Sequence, residues 1–443
     1  MKKITTLLLF LCLSLSLFGC STEETPETPS TPETPETNTD TNIEDFTSPE
    51  GLFNFTISGQ YATLSSLNLD ANSMYEEEYI TKVNVPSTYT YNSINYDVTV
   101  INTSAFRNKG AIKTVVLPDT LTTIKTYAFE NCYSLEYISM PKSLTSIENY
   151  AFQNCVNLKS LDLSESKTSI GNYGFQNCRT LKTALLSDET SLIGTYAFDG
   201  CTSLESINIP NNLIVLQNYI FRNCISLTNI EVTDKVTTVN EYAFYGCNSL
   251  ESVKLGASVI TIGANSFSGC AKLETFDFNT SLITIAASAF SECYSLTEVV
   301  LPDTVTTINS SAFKNCFSLK TINIPTGVTV IESYSFNNCY SLESIVLPEG
   351  VTTIGTYAFS GCTSLETADL PTTITTINNN AFTNCTSLKE IYIPINTITI
   401  GSNVFSGCYY LQIFAAIPEA IAPDTWSSSW NPNNCKVTYS TQK

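Results

Sequence analysis

The sequence of 443 residues contains no histidine. That removes the commonest general base and the commonest transition-metal ligand, and it rules out a cysteine–histidine nucleophile. Cations are scarce too: 21 Lys and Arg stand against 41 Asp and Glu, a net charge of −20. Such a balance repels nucleic acid and anionic lipid headgroups, so no nucleic-acid partner is expected. No phosphate loop, GxSxG elbow, HExxH or calcium loop occurs. The carboxylates are scattered, and spacing singles out no pair. The chain therefore reads as a non-enzyme with no catalytic, cofactor-binding or metal-ligating residues.

Only the first residues form a long apolar run. Lys2 and Lys3 precede the apolar stretch Ile4–Phe18, which is too short for a stable membrane span. It ends Leu17-Phe18-Gly19-Cys20 and resembles a bacterial lipobox, in which the signal is cut before a cysteine that becomes diacylated. Residues 1–19 are thus expected to be a lipoprotein signal peptide, with Cys20 the lipid anchor in the membrane. Residues 20–50 hold Pro26, Pro29, Pro32 and Pro35 at intervals of three, with nine acids and no base from residue 21 on. Repeated proline fixes φ and removes donors, so this segment reads as an extended polyproline II tether. The expected location is the bacterial outer membrane or cell surface.

What dominates the rest is a period. Phenylalanine recurs every 23 residues from Phe106 to Phe405, fourteen times without a slip. Cysteine keeps the same beat thirteen times from Cys132 to Cys408, and leucine from Leu135 to Leu411. A period of this size means stacked units, each burying its apolar side only against its neighbours. In residues 126–148, Thr126–Cys132 is expected as a short helical turn, with Phe129 and Cys132 on one face. Leu135, Ile138 and Met140 alternate with polar residues as an inward-facing strand, and Pro141 ends it. Leu144 and Ile147 begin a second short strand. The predicted fold is a β-rich α/β solenoid: an arc of about fourteen coils, each a strand, a short second strand and a helical turn.

These residues closely resemble the BspA-like, treponemal-type leucine-rich repeats, whose pattern runs LxxIxLPxxLxxIGxxAFxxCxx. Leu342, Ile345, Leu347, Pro348, Val351, Ile354, Gly355, Ala358, Phe359 and Cys362 match it in order. The resemblance spans about residues 80–418. It implies a leucine-rich-repeat solenoid on bacterial surface proteins, several of which act as adhesins. At the strand exit Ser164, Ser187, Thr233, Gly256 and Asn279 replace the proline.

Open solenoid ends need capping. Residues 51–101 read as an N-terminal cap with a degenerate first repeat, residues 102–408 as the solenoid, and residues 409–443 as the C-terminal cap. Trp426 and Trp430 either plug the open core or form an aromatic ligand platform. The cysteine ladder reads chiefly as buried free thiols, because equivalent Cβ atoms one coil apart lie ~4.8 Å from each other where a disulfide prefers ~3.8 Å. Some disulfides remain possible, and a pair between Cys435 and Cys408 is expected in the cap.

Function is expected on the concave strand face. One outward column runs Tyr137, Ser160, Thr183, Ser206 and onward to Glu298 and Glu390; the other carries Asp162, Asn208, Glu231, Lys254, Asp277, Asn323, Asp369 and Tyr392. The second column varies, as a partner-binding column would and as drift on a solvated face also would. The candidate ligand-binding residues are Tyr137, Asp162, Asn208, Glu231, Lys254, Asp277, Glu298, Asn323, Asp369, Glu390 and Tyr392. A third column, two residues before Phe, holds eight tyrosines including Tyr127, Tyr150 and Tyr357; it either packs over the helical turns or offers a stripe for stacking. The sequence thus reads as a monomeric, surface-anchored lipoprotein that binds a host or microbial protein or a glycan, as an adhesin does. The alternative is a structural or scaffold lipoprotein of the cell envelope.

Overall fold

β-Branched residues fill the positions where the repeat asks for extended backbone, and strands form there. The computed structural model describes residues 51–67, 80–419 and 422–440; the signal segment, Cys20 and the tether lie outside the described residues. Phe46–Lys443 is one compact unit. Its architecture is a β-solenoid of about 15 turns of ~23 residues.

Two parallel ladders run along it, and their register is the sequence period. In the first, Ser160 pairs with Thr183 and Thr183 with Ser206; further on Asn229, Ser252 and Thr275 align. In the second, Thr238, Thr261, Thr284 and Thr307 align in the same way. Strands this short have no stability of their own. They persist because each inward side chain stands on its equivalent one coil away. The fourteen phenylalanines stack continuously, with centroids 4.6–5.8 Å apart and planes within 24°. Every one from Phe106 to Phe405 is fully buried, and burying such a side chain contributes ~1.5–3 kcal/mol.

The predicted helical turn does not form. Among the described residues there is no α-helix. In Tyr127–Cys132 the N–H groups alternate. Ala128, Glu130 and Cys132 bond back three residues within their own coil, while Tyr127, Phe129 and Asn131 bond to Asn149, Ala151 and Gln153 of the next coil. A helix would send all of them to i−4. Tyr127 and Asn131 also have φ of 59° and 61°, and a left-handed residue every fourth position ends any right-handed helix. Linked turns let this side of the coil hydrogen-bond along the stack, as the strands do.

The ends differ from the middle. Phe53–Ser58 pairs antiparallel with Tyr61–Leu67, and Thr88–Tyr91 with Ile94–Ile101, ahead of the first regular coil. At the other end Lys436–Tyr439 adds a last parallel strand to Gln412–Ala415. Trp430 meets Phe405 edge-on at 6.0 Å and Trp426 at 5.4 Å, so tryptophan closes the phenylalanine column.

The expected Cys408–Cys435 disulfide is absent. Both thiols are free, and Cys435 Sγ donates to the Cys408 carbonyl at 3.1 Å. Cys435 has stacked on the end of the ladder, side by side with Cys408, instead of converging on it. All thirteen ladder cysteines are free and buried.

Candidate binding face

On the first ladder, alternation sends every second side chain outward. In Ser160–Leu163, Leu161 and Leu163 are buried while Ser160 and Asp162 are exposed. The candidate residues fall on this face. Asp162, Asn208, Glu231, Lys254, Asp277, Glu298, Asn323, Asp369 and Glu390 are exposed; Tyr137 and Tyr392 are half-buried. Pairing brings Glu231, Lys254 and Asp277 onto three consecutive rungs. Tyr392 stacks on Phe414 at 4.7 Å. The others are spread over the length of the ladder, so they form an extended face and not a single pocket.

Two of the candidates are bonded into the scaffold. Asn208 Nδ2 donates to the Leu186 carbonyl at 2.8 Å, and its Oδ1 accepts from the Leu186 N–H at 2.8 Å. Asn323 does the same with Leu301, at 2.7 and 2.8 Å. Each side-chain amide takes the place of a neighbouring backbone amide, and the ladder stops there: the strands Ser206–Ile207 and Thr321–Ile322 are two residues long. Ser139 likewise accepts from Leu117 N–H at 2.8 Å. A periodic sequence does not announce this, because any polar residue satisfies an outward position.

The charges on the face sort by rung. Lys159, Lys254 and Lys389 lie 2.5–2.6 Å from Glu136, Glu231 and Glu366, and Lys182 lies 3.3 Å from Glu205. Bonding to Glu231 raises the Lys254 ammonium above its ordinary value, and bonding to Lys159 holds Glu136 below it. Among the described residues no ion pair joins Glu251, Glu274, Asp277, Glu298 or Glu343. The face is therefore electrostatically balanced in some coils and bare acid in others.

Shallow hollows punctuate it. One is lined by Asn229, Glu231, Lys254, Phe276 and Asp277, a second by Asn208, Asp234 and Lys235. A third is lined by Val299, Val300, Ile322, Ile324, Val346 and Pro348 together with the polar Glu298, Thr321, Asn323 and Ser344. Val300 and Val346 are 67% and 63% exposed, the most open aliphatic side chains on the face.

The tyrosine column belongs to the turns. Tyr127, Tyr150, Tyr173, Tyr196, Tyr219 and Tyr242 stack in sequence at 4.3–4.9 Å with planes within 17°. Their ring faces cover one another, which leaves edges and hydroxyls toward solvent. Each also holds a left-handed φ of 57–59°, uncommon for a bulky residue. Arg107 lies over Tyr127 at 4.9 Å, and Arg222 over Tyr196 and Tyr219 at 5.2 Å. Arg222 in turn forks onto Asp199 at 2.8 and 2.9 Å, and Gln176 bonds the same carboxylate at 2.8 Å.

A further column, two residues after Phe, was not singled out as structural by the repeat pattern. It reads Asn108, Asn131, Asn154, Asn177, Gly200, Asn223, Gly246, Gly269, Glu292, Asn315, Asn338, Gly361, Asn384 and Gly407, all with positive φ. Asparagine amides chain along it at 2.8–3.0 Å. At Gly361 a Cβ would come 2.4 Å from Asn338 Oδ1. Asparagine and glycine at every position but Glu292 were the visible signal of left-handed backbone.

The family described as BspA type Leucine rich repeat region matches the chain in six copies, over residues 99–228, 215–342 and 306–422. The crystal structure of a leucine-rich repeat protein from Bacteroides ovatus ATCC 8483 is 29% identical, with a TM-score of 0.75, covering 89% of this chain and 99% of that one. A leucine rich cell surface protein from Faecalibacterium prausnitzii A2-165 is 23% identical, with a TM-score of 0.38, over 89% and 95% of the two chains. No curated protein matches.

Proposed function

Because the chain belongs to the BspA-type leucine-rich repeat family, we propose that it is a lipid-anchored binding protein of the bacterial cell surface. Cys20 carries the anchor, residues 20–50 hold the solenoid off the membrane, and the strand face holds a protein or glycan partner, as in an adhesin. The observation that carries this reading is a contrast between columns. The inward positions keep Phe, Cys and Leu at every rung, while the outward one changes from Asp162 to Leu185, Asn208, Glu231, Lys254, Asp277 and Val300. A column that meets a partner would vary in this way, and so would a solvated face under no constraint; the measurements below separate the two. A stable protein partner buries ~1,200–2,000 Å² in total, which a face of many rungs at ~4.8 Å each can supply.

Two measurements test this. Palmitate labelling of the expressed chain should be lost on Cys20→Ala. Protease shaving of whole cells should release fragments of the solenoid, and pull-downs with host matrix proteins should then recover the ligand. A chain that resists shaving faces the periplasm; the adhesin reading then falls, and a scaffold role in the envelope takes its place.

A further inference from the structure

Three consecutive coils, from Tyr294 to Pro348, differ from the rest of the strand face in two respects at once. Just after the cysteine they carry Tyr294, Phe317 and Tyr340, half-exposed and stacked at 4.8 Å per step. On the strands they carry Val300 and Val346, two rungs apart, over a floor of Val299 and Ile322. Elsewhere on this column the outward residues are mostly polar or charged.

We infer that these coils are a docking groove for an extended, cationic polypeptide that places aliphatic side chains between the two valines. The inference rests on the binding role proposed for the strand face and names its ligand class. The groove favours a polypeptide over a sugar for two reasons. Asn323, between the two valines, already bonds both the N–H and the carbonyl of Leu301, so only Glu298, Thr321 and Ser344 at the margin are left to meet a sugar's hydroxyls, which lose their water wherever they gain no partner. Of the aromatic residues on the same coils, Phe317 has both ring faces covered, by Tyr294 and Tyr340, which leaves its edge to a ligand. What remains is aliphatic surface of the kind that marks an interaction site.

The sign of the partner follows from the rim. Glu298 and Glu343 lie on the groove's own coils, and Glu274 and Asp277 on the coil before them; among the described residues none is in an ion pair. Lys320 is the single cation that these three coils turn to this face. Lysines or arginines flanking the aliphatic side chains would meet these carboxylates at the rim. There, charge sets the rate of association and the choice of partner more than the affinity. Affinity has to come from the valines.

The test uses the folded chain from residue 21 and short synthetic peptides of alternating lysine and leucine, lysine and serine, or glutamate and leucine, read by titration calorimetry. The lysine–leucine peptide should bind and the other two should bind about tenfold more weakly or not at all. Val300→Thr with Val346→Thr keeps shape and charge and should weaken lysine–leucine binding about tenfold. Leu185→Thr, an exposed aliphatic residue of the same column in a distant coil, should leave it unchanged. Equal binding of the glutamate–leucine peptide, or wild-type binding by the valine variant, overturns the groove. If binding survives the valine changes and is lost with Asp162→Asn or Leu185→Thr, the face still binds but this groove does not. Insensitivity to every change on the face would remove both readings.

Discussion

The thiol of Cys155 donates to the carbonyl oxygen of Phe129 at 3.2 Å, one coil back and 26 residues earlier. The same oxygen accepts the backbone N–H of Cys132 at 3.2 Å within its own coil. This arrangement repeats thirteen times, with S···O distances of 3.1–3.4 Å. Both lone pairs of each phenylalanine carbonyl are used, so the cysteine is a small apolar residue with a donor where one is needed. At the last rung no ladder cysteine remains, and Asn433 Nδ2 takes the Phe405 carbonyl at 3.0 Å.

Thiol chemistry should follow burial. Cys435 is half-buried and every ladder cysteine is fully buried. Alkylation of the native chain should therefore modify Cys435 first, and the ladder only after denaturant is added. Mass spectrometry without reductant should find no linked ladder peptides; abundant ones would refute the ladder of free thiols.

Alkali should unfold the solenoid steeply. Burial pushes the thiols from Cys155 to Cys385 above their ordinary value of 9.0, and Cys247 up to about 12. The folded state holds its thiol protons longer than the unfolded one. Stability is thus complete below about pH 9 and falls as pH rises toward about 12. Burial and the neighbouring phenols raise Tyr150 and Tyr196, which adds in the same direction. Denaturant titrations from neutral pH to pH 11 should show the loss, and replacing ladder cysteines by serine should make it shallower. A flat profile would contradict it.

Arg222→Gln should destabilise the chain by about 2 kcal/mol. The fork onto Asp199 would be lost and that carboxylate, 4% exposed, left with Gln176 alone. The cost is less than for a fully buried pair because the Arg222 side chain is 32% exposed. Arg222→Lys keeps the charge without the fork and should fall between. Urea midpoints of the three chains decide the order.

Glu292→Asn should stabilise by about 1 kcal/mol. Glu292 holds a φ of 66° in a column otherwise made of asparagine and glycine, and asparagine adopts that region more readily. Asparagine would also offer Oδ1 to the Asn315 amide and extend the ladder. Thermal midpoints compare the two; an unchanged or lower value would mean that the Glu292 side chain makes up for its backbone strain.

Much of this was legible before any coordinates. Equal spacing of Phe129, Cys132 and Leu135 required that each stand above its counterpart, because only a constant advance per coil keeps apolar columns buried. Closure of the open end by tryptophan was one of two readings that residue chemistry allowed, whereas the strand expected to run to Pro141 stops at Ile138, where Ser139 Oγ takes the Leu117 N–H. The turn was not legible. Phe129 and Cys132 lie three apart in a helix and in a chain of turns alike, so their spacing could not separate the two. The asparagine–glycine column could have, since it marks backbone that no helix accepts. On the strand face, Asp162 and Asn208 looked equivalent by position. They differ in what lies within hydrogen-bonding reach: Asp162 holds Ser164 of its own loop, and Asn208 holds the backbone of the neighbouring coil.

The amino-acid order alone determined that this chain is a stack, how long each coil is, and which side chains face in. Those properties depend only on period and polarity, and every coil repeats them. Tertiary structure decided where the hydrogen bonds of the turns go, which outward groups stay free for a partner, and how Trp430 and Asn433 finish the columns. Each of these depends on contacts between residues a full coil apart in sequence, and such contacts acquire a geometry only once one coil rests on the next.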